Sequence, residues 1–286
     1  MIITKYSILL AVLAAAGLVC SGAEAASIQR LDGRIISPAS AALAADAEFK
    51  RDHVMGGQIA ILNRGHVVWT HAYGLRDAKQ GLPMTTDTNI WAASITKAVF
   101  GTFVMHLVET HRFDLDEPIA QMLSKPLDQY AAYKDKASEL VNDPRWARVT
   151  PRILLSHTSG LANFADLEPD KKLHLHFEPG TRFAYSGDGL NILQVAVEEK
   201  LGEPLDTAMQ QALFAPLGMN RTSMVWRAGF LANNALRYDA RGKFIAATRR
   251  YEPRAAGSMS TTVNDLRRVL EALLGNRILE PQPRTK

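Results

Sequence analysis

Two short apolar segments flank a polar turn in the first third of the chain. Segments 58–62 and 66–69 are rich in β-branched and aromatic residues, and Asn-Arg-Gly at 63–65 lies between them. Asn and Gly tolerate the positive φ angles of tight hairpin turns. The pattern predicts a β-hairpin over 56–74, and residues 75–90 are interpreted as a polar, turn-rich connection.

Beyond residue 90 the apolar spacing is that of helices. Val99, Phe103 and Leu107 recur every four residues, which predicts a helix from near Ser94 to about His111. Start and stop signals predict four further helices. They are a helix that opens at Thr150-Pro151 and breaks at Ser159-Gly160, helices over 189–201 and 204–217, and a helix over 263–274 that follows Ser260-Thr261-Thr262 and precedes Gly275.

A hairpin followed mostly by helices predicts an α+β fold, with a small antiparallel sheet beside a large helical region. A two-stranded hairpin alone is marginally stable in water, so this one requires further strands. No convincing partner strand is visible after residue 250. The sheet is therefore expected to be incomplete.

The composition is that of an ordinary globular domain and narrows the classes of function. Of the 286 residues, 47% are hydrophobic and 22% are charged, enough to bury a sizeable core. Because Cys20 is the single cysteine, no disulfide within the chain and no thiolate-bound metal is expected. The net charge of +4 comes from scattered basic residues rather than a stripe, which argues against nucleic-acid binding. No cofactor is expected.

The N-terminal segment has the pattern of a secretory signal. Lys5 precedes an apolar run over 8–19, and Ala23-Glu24-Ala25 carries small residues where a signal peptidase reads them. Cleavage is expected after Ala25, which gives a signal peptide at 1–25 and a domain at 26–286. The expected location is periplasmic or secreted.

Other interpretations of this segment are a membrane anchor and a buried helix. The apolar run is shorter than the roughly 20 residues of a membrane span, so no stable span is expected after signal removal. Lipidation at Cys20 ranks below cleavage because Val19 is bulky for the residue before a lipidated cysteine.

The first motif with chemical content is Ser94-Ile95-Thr96-Lys97 at the start of a predicted helix. Residues three apart on a helix lie on one face, so the Lys97 amine can reach the Ser94 hydroxyl. A serine becomes a good nucleophile only when a base removes its proton. A serine at a helix start also has a backbone N–H and the positive end of the helix dipole beside it. Taken alone, a surface Ser and Lys on an amphipathic helix is the simpler interpretation, but Ala92-Ala93 before the serine and the apolar helix after it favour a buried helix start.

The second motif is Tyr185-Ser186-Gly187. It follows a Pro-Gly turn at 179–180, and Phe183 and Tyr185 alternate as strand residues do. A tyrosine beside a serine and a lysine could carry a proton to a leaving group. Taken alone, a packed loop tyrosine is the simpler interpretation.

Together these segments resemble the serine β-lactamase-like, penicillin-binding-protein-like family, in particular class C β-lactamases with their related esterases and D-Ala-D-Ala carboxypeptidases. The resemblance runs through five segments. They are the hairpin (56–74), the nucleophile segment (87–97), Leu-Leu-Ser-His-Thr-Ser-Gly-Leu (154–161), the tyrosine loop (177–190) and the segment that begins Ala-Ala-Gly-Ser-Met-Ser-Thr-Thr (255–274). The segments occur in family order and cover nearly all of the chain after residue 25.

The resemblance implies a serine hydrolase with a β-lactamase/transpeptidase-like fold. Ser94 would be the acylated nucleophile, Lys97 its base partner and Tyr185 the proton shuttle. The implied partner is a small acyl substrate, which is a β-lactam, an ester or a D-amino-acid peptide.

Two departures from the family pattern affect the expected activity. Gly187 stands where an Asn or Asp usually offers a hydrogen bond to the substrate amide, and Asp188 is adjacent; both positions are assigned to substrate binding. This weakens the case for β-lactam selectivity but not for ester chemistry. No Lys-Thr-Gly or His-x-Gly follows Leu274, so a domain without its C-terminal strands and with reduced activity is expected. The alternative is an inactive truncated relic, or a non-catalytic ligand-binding protein of the same fold.

Other catalytic patterns are weaker. His174 and His176 alternate as chelating residues can, but no third convincing ligand group follows, so no metal site is predicted. Gly-x-Ser-x-Gly is absent, which leaves an α/β-hydrolase unsupported. His157 is expected to play a structural part at a helix end.

Overall fold

Helices and short strands alternate through residues 27–279, the part of the chain that the computed structural model describes. The α-helices are α1 (Pro38–Arg51), α2 (Ile95–Glu109), α3 (Ile119–Met122), α4 (Ser138–Asn142), α5 (Pro151–Leu155), α6 (Gly187–Leu201), α7 (Leu205–Met209) and α8 (Val263–Leu274). Single 3-10 segments cover Leu127–Gln129, Pro144–Arg148, Ala165–Leu167 and Ala228–Asn233, and Gln210–Phe214 continues α7 as a π-helical turn. The predicted signal peptide at 1–25 lies outside the described residues.

The strands form small antiparallel sheets. They are β1 (Ile28–Gln29), β2 (Ile35–Ile36), β3 (Gly56–Asn63), β4 (His66–Asp77), β5 (Leu82–Pro83), β6 (Ile90–Trp91), β7 (Arg237–Tyr238), β8 (Phe244–Ala246) and β9 (Ser260–Thr261). β1 pairs with β2, β6 with β9 and β7 with β8, while β3, β4 and β5 form the one three-stranded sheet among the described residues. Helices beside antiparallel strands confirm the predicted α+β class.

The predicted hairpin is present and is longer than its apolar pattern. β3 and β4 pair from Gly56 opposite Gly74 to Asn63 opposite His66, and β4 continues to Asp77. The interpretation of residues 75–90 as purely polar and turn-rich is wrong, because β5 in this segment supplies the third strand. Two residues are too few to show an alternating pattern. Within residues 27–279 no strand after residue 250 joins the hairpin, since β9 pairs with β6.

The predicted helices are confirmed, with shifts at their ends that the capping residues explain. α6 begins two residues earlier than predicted because the Ser186 hydroxyl accepts from the Gly189 amide, and Gly202 ends it with a φ of 70°. The helix at Thr150 ends at Leu155 rather than at Ser159. Thr262 alone caps α8, whereas the two residues before it form β9.

Two further differences from the sequence pattern concern α1 and the loop before α6. α1 was missed, although Ser37 caps it with a hydrogen bond from the Ser40 amide and Pro38 occupies its first turn. The strand-like alternation of Phe183 and Tyr185 does not produce a strand, and the segment between Pro179 and Ser186 is an irregular loop. Period-two alternation over so few residues does not separate a strand from an extended loop.

Helix α2 runs through the core and fixes the position of Ser94. Phe100, Phe103 and Leu107 are fully buried on α2, and Ile192 and Leu193 are fully buried on α6. Burial of each such side chain contributes roughly 1.5–3 kcal/mol to folding, before entropic costs. The helix is therefore held on several sides, and the residue at its start has little freedom to move.

The start of α8 is held by a buried carboxylate. Asp265 accepts hydrogen bonds from the Arg221 amide at 2.8 Å and the Thr222 hydroxyl at 2.9 Å, and its own amide donates to Thr262 Oγ1. Burial raises the pKa of Asp265 although both hydrogen bonds oppose that effect. Asp265 therefore joins α8 to the segment at 221–222.

Within residues 27–279 none of the helices combines the length and the apolar character needed to cross a membrane.

Candidate active site

Ser94 lies at the N-terminal end of α2 with its hydroxyl free of a capping bond. Ala93, just before it, has a φ of 45°, a value that non-glycine residues rarely adopt. Such backbone strain costs on the order of 1–3 kcal/mol and is concentrated at active sites. It is maintained by the Thr96 hydroxyl, which donates to the Ala93 carbonyl at 2.5 Å, and by the Ala92 amide, which donates to Met259.

Lys97 lies one turn further along α2, with its amine directed at Ser94. Its side chain is buried, and Nζ donates to Ser94 Oγ at 3.2 Å and to the Ala256 carbonyl oxygen at 2.6 Å. Among the described residues no carboxylate forms an ion pair with it. The predicted Ser–Lys contact is therefore present, and a backbone carbonyl rather than an acid holds the lysine.

Tyr185 covers the same amine from the loop before α6. Nζ of Lys97 lies 4.8 Å from the centroid of the phenol ring. Burial raises the pKa of the Tyr185 phenol, but hydrogen bonding to Lys97 and Ser94 and the positive charge of Lys97 outweigh it, so the pKa is lowered overall. The three predicted catalytic residues meet at one point, in an arrangement that can move a proton.

His157 fits the structural part predicted for it and orients Tyr185. Its ring lies 4.7 Å from the Tyr185 ring, and its Nδ1 accepts a hydrogen bond from the Ser186 amide at 3.1 Å. Burial and the charge of Lys97 lower the pKa of His157, which keeps the imidazole neutral and Nδ1 able to accept. A protonated imidazole would lose this contact and repel the lysine.

Two cavities meet at Ser94. One of about 280 Å³ is lined by Trp91, Ala93, Ser94, Phe164, Asn191, Arg250, Arg254, Ala256, Gly257 and Ser258. The other, of about 450 Å³, is lined by Ser94, Lys97, Ala98, Gly101, Met105, Leu155, His157, Tyr185 and Leu190. A third cavity of about 540 Å³ touches Ala93 but not Ser94. The hydroxyl can therefore meet a substrate that has one group on each side of it.

The two residues assigned to substrate binding are placed differently from Ser94, Lys97 and Tyr185. Asp188 turns away from the nucleophile: its carboxylate accepts from the Ala165 amide at 2.7 Å, and it lines a separate cleft. The Gly187 amide donates to the Asn163 carbonyl at 2.8 Å. The geometry of Asp188 does not support a contact with substrate at Ser94.

Phe164 occupies the space that a side chain at position 187 would need. A β-carbon built on Gly187 would lie 2.5 Å from Cε1 and 2.6 Å from Cζ of the Phe164 ring. The ring also lines the 280 Å³ cavity beside Ser94. The Phe164 ring thus occupies the place where relatives usually have an Asn or Asp side chain. Gly187 is the sequence signal that could have indicated an aromatic wall here.

The alternating histidines are engaged in separate pairs. His174 Nε2 lies 2.8 Å from Asp170, His176 Nε2 lies 2.6 Å from Glu168, and the two ring centroids are 6.4 Å apart. In the described part of the chain no group of three or more His, Cys, Asp or Glu side chains is arranged to hold a metal ion.

Comparison with known proteins identifies a family and two curated relatives. A family model described as Beta-lactamase matches residues 38–286. Esterase EstB of Burkholderia gladioli is 31% identical over 227 residues, covering 68% of this chain and 55% of that protein. A D-aminopeptidase of Brucella anthropi is 26% identical over 219 residues, covering 74% of this chain and 41% of that protein. The chain therefore spans about half the length of these curated relatives.

Solved structures share the fold. An octameric penicillin-binding protein homologue from Pyrococcus abyssi superposes with a TM-score of 0.66 at 23% identity, covering 85% of this chain and 58% of that one. A D-alanine carboxypeptidase from Burkholderia cenocepacia superposes with a TM-score of 0.65 at 23% identity, covering 86% of this chain and 65% of that one. EstCE1, a hydrolase with promiscuous acyltransferase activity, superposes with a TM-score of 0.68 at 19% identity, covering 85% of this chain and 74% of that one. These similarities confirm the predicted β-lactamase/transpeptidase-like fold.

The contact between position 187 and Phe164 predicts a strong coupling between the two residues. Gly187→Ala should lower the free energy of unfolding by about 1–3 kcal/mol, because its methyl group collides with the ring. In a Phe164→Ala background the same change should cost much less, since only the Asn163 carbonyl oxygen, 3.1 Å from the added β-carbon, remains close. Urea unfolding of the four proteins measures the coupling.

Gly229→Ala is the matched control, since a β-carbon there meets nothing within 4 Å. An equal cost of Gly187→Ala in both backgrounds would show that the ring does not occupy this space.

Proposed function

Because the chain belongs to the Beta-lactamase family, we propose that it is a serine hydrolase that forms an acyl-enzyme on Ser94. The observation that carries this proposal is the convergence of Ser94, Lys97 and Tyr185, with the buried lysine amine 3.2 Å from the serine hydroxyl. A surface Ser–Lys pair would have neither this burial nor a tyrosine across it.

The proposed acylation step moves one proton and exchanges one bond. Ser94 Oγ attacks the carbonyl carbon of the substrate while its proton passes to the ionised Tyr185 oxygen of the Lys97–Tyr185 pair. The pair then returns that proton to the leaving group as the carbonyl–oxygen or carbonyl–nitrogen bond breaks. A water molecule, deprotonated by the same pair, attacks the acyl-enzyme and releases the acid and free Ser94. Because the pKa of Tyr185 is lowered, a larger fraction of the phenol is ionised at a given pH and is therefore able to accept a proton.

The start of α2 supplies electrostatic stabilisation in this proposal. In the described part of the chain no acceptor is paired with the Ser94 amide, which leaves this N–H for the oxyanion that develops on the substrate carbonyl. The positive end of the helix dipole acts in the same direction.

Ester substrates are the proposed class, ahead of β-lactams and D-amino-acid peptides. Gly187 has no side chain to bind a substrate amide, and Phe164 lines the cavity with apolar surface in its place. The match to an esterase and to D-aminopeptidases supports both ester and peptide chemistry. The loss of a polar contact penalises the peptide more than the ester.

Removal of the nucleophile tests the proposed function. A labelled fluorophosphonate should modify Ser94, as shown by peptide mass mapping. Hydrolysis of a nitrophenyl ester should fall by at least about 10³-fold in Ser94→Ala, as is usual when a nucleophile is removed. Ser124→Ala, which changes an exposed serine elsewhere, serves as the control.

An adduct on another serine that persists in Ser94→Ala would refute the assignment. Hydrolysis by the native chain no faster than by Ser94→Ala would favour the non-catalytic alternative.

We also propose export to the periplasm or medium, on the basis of the signal pattern at 1–25. Protein recovered outside the cytoplasm should begin at Ala26 when its N-terminus is sequenced. Recovery only in the cytosol with Met1 intact would contradict export.

A further inference from the structure

Two arginines are among the residues that line the 280 Å³ cavity beside Ser94. Arg250 and Arg254 both line it. Both side chains belong to exposed residues, and no carboxylate among residues 27–279 forms an ion pair with either. Other arginines of the chain, such as Arg145 and Arg152, are paired with aspartates. Two unpaired cations at the wall of a reactive-serine cavity call for a functional explanation.

Arg250 is held in place by aromatic and backbone contacts. Its guanidinium carbon lies 5.2 Å from the Trp91 ring centroid, and its carbonyl oxygen accepts from the Trp226 amide at 2.5 Å. Trp91 is fixed in turn, because its indole N–H donates to the Gly257 carbonyl at 2.6 Å. A cation–π contact positions the charge without neutralising it, which leaves the N–H donors of Arg250 for a ligand.

Arg254 lies between this cavity and a neighbouring cleft. That cleft contains the nearby acidic groups Asp188, Glu198 and Glu252. Asn191 separates the two spaces: its Nδ2 lies 3.4 Å from Asp188, and its Oδ1 accepts from the Ala256 amide. Arg254 also lines the cleft that holds these acids, so their negative charge partly offsets its own. Arg250 does not line that cleft. Arg250 should therefore have the larger effect.

We propose that Arg250 and Arg254 bind an anionic group of the acyl substrate, so that the preferred esters carry a carboxylate close to the scissile bond. This rests on the proposed acyl chemistry at Ser94. Arginine has a planar fork of donors that matches a carboxylate with two hydrogen bonds. A cavity of about 280 Å³ holds a short chain between the reacting carbonyl and that carboxylate. Phe164 provides the apolar wall along which the chain lies.

A matched pair of substrates separates charge from shape. The probes are the mono-4-nitrophenyl ester of adipic acid, which is anionic, and 4-nitrophenyl methyl adipate, which is neutral. Rates of Ser94→Ala are subtracted as the blank. The ratio of kcat/KM for the anionic ester to that for the neutral ester should fall about tenfold or more in Arg250→Gln, as expected for the loss of a charge-assisted hydrogen bond. It should fall less in Arg254→Gln, and it should also fall with added salt.

Arg249→Gln is the control, since it removes the same charge from the adjacent residue, whose guanidinium lies over Trp226 rather than in the cavity. An equal fall in the ratio in Arg249→Gln and Arg250→Gln would overturn a specific site in favour of a general field. A ratio unaffected by Arg250→Gln and Arg254→Gln, with both esters still hydrolysed, would overturn the anion site and leave the proposed hydrolase intact.

Binding gives a readout that does not depend on turnover. In Ser94→Ala, calorimetry should show tighter binding of the anionic ester than of the neutral ester, and Arg250→Gln should remove that preference. If the native chain hydrolyses neither ester, such a binding preference would support the anion site and refute the hydrolase. Equal binding of the two esters would refute the anion site.

Discussion

The bond from the Lys97 amine to the Ala256 carbonyl is the contact on which the site depends. A buried amine must be hydrogen-bonded, because an unpaired buried charge is too costly to keep. Here the partners are one carbonyl and one hydroxyl, so the lysine is held by groups that do not neutralise it. Its charge consequently acts on Ser94, Tyr185 and His157 together. A carboxylate in place of the carbonyl would quench that influence.

The segment that carries the Ala256 carbonyl is joined to two helices and one strand. Segment 255–261 is tied to α2 through the Lys97 contact and through the Met259 amide, which donates to Thr96 Oγ1. It is tied to α6 by the Ala255 amide, which donates to Gln194, and by the Ala256 amide, which donates to Asn191. β9 then pairs with β6, just before the strained Ala93. The backbone strain at the nucleophile is therefore maintained by contacts from both helices and from one strand.

The sequence predicted the catalytic contacts better than the shape of the pocket. Ser94 and Lys97 are one helical turn apart, so local geometry determines their contact, and Tyr185 follows from the order of the motifs. Phe164 could not be assigned, because its place beside Gly187 results from the packing of a loop against the start of α6, which no apolar pattern predicts. Arg250 and Arg254 could not be assigned to the site either, since the sequence does not show that they share a cavity with Ser94. β5 was missed because two residues show no period.

The central claim is that the charge of Lys97 acts directly on Tyr185, and an ultraviolet titration of the phenol tests it most directly. The difference between native protein and Tyr185→Phe isolates this one tyrosine. It should ionise at a lower pH than an ordinary tyrosine, whose pKa is about 10, and Lys97→Met should shift its ionisation to higher pH. Lys125→Met, which removes a lysine lying over Tyr130, should not change it. Circular dichroism confirms that each variant is folded. A Tyr185 titration that is ordinary in the native protein and unchanged in folded Lys97→Met would contradict the account.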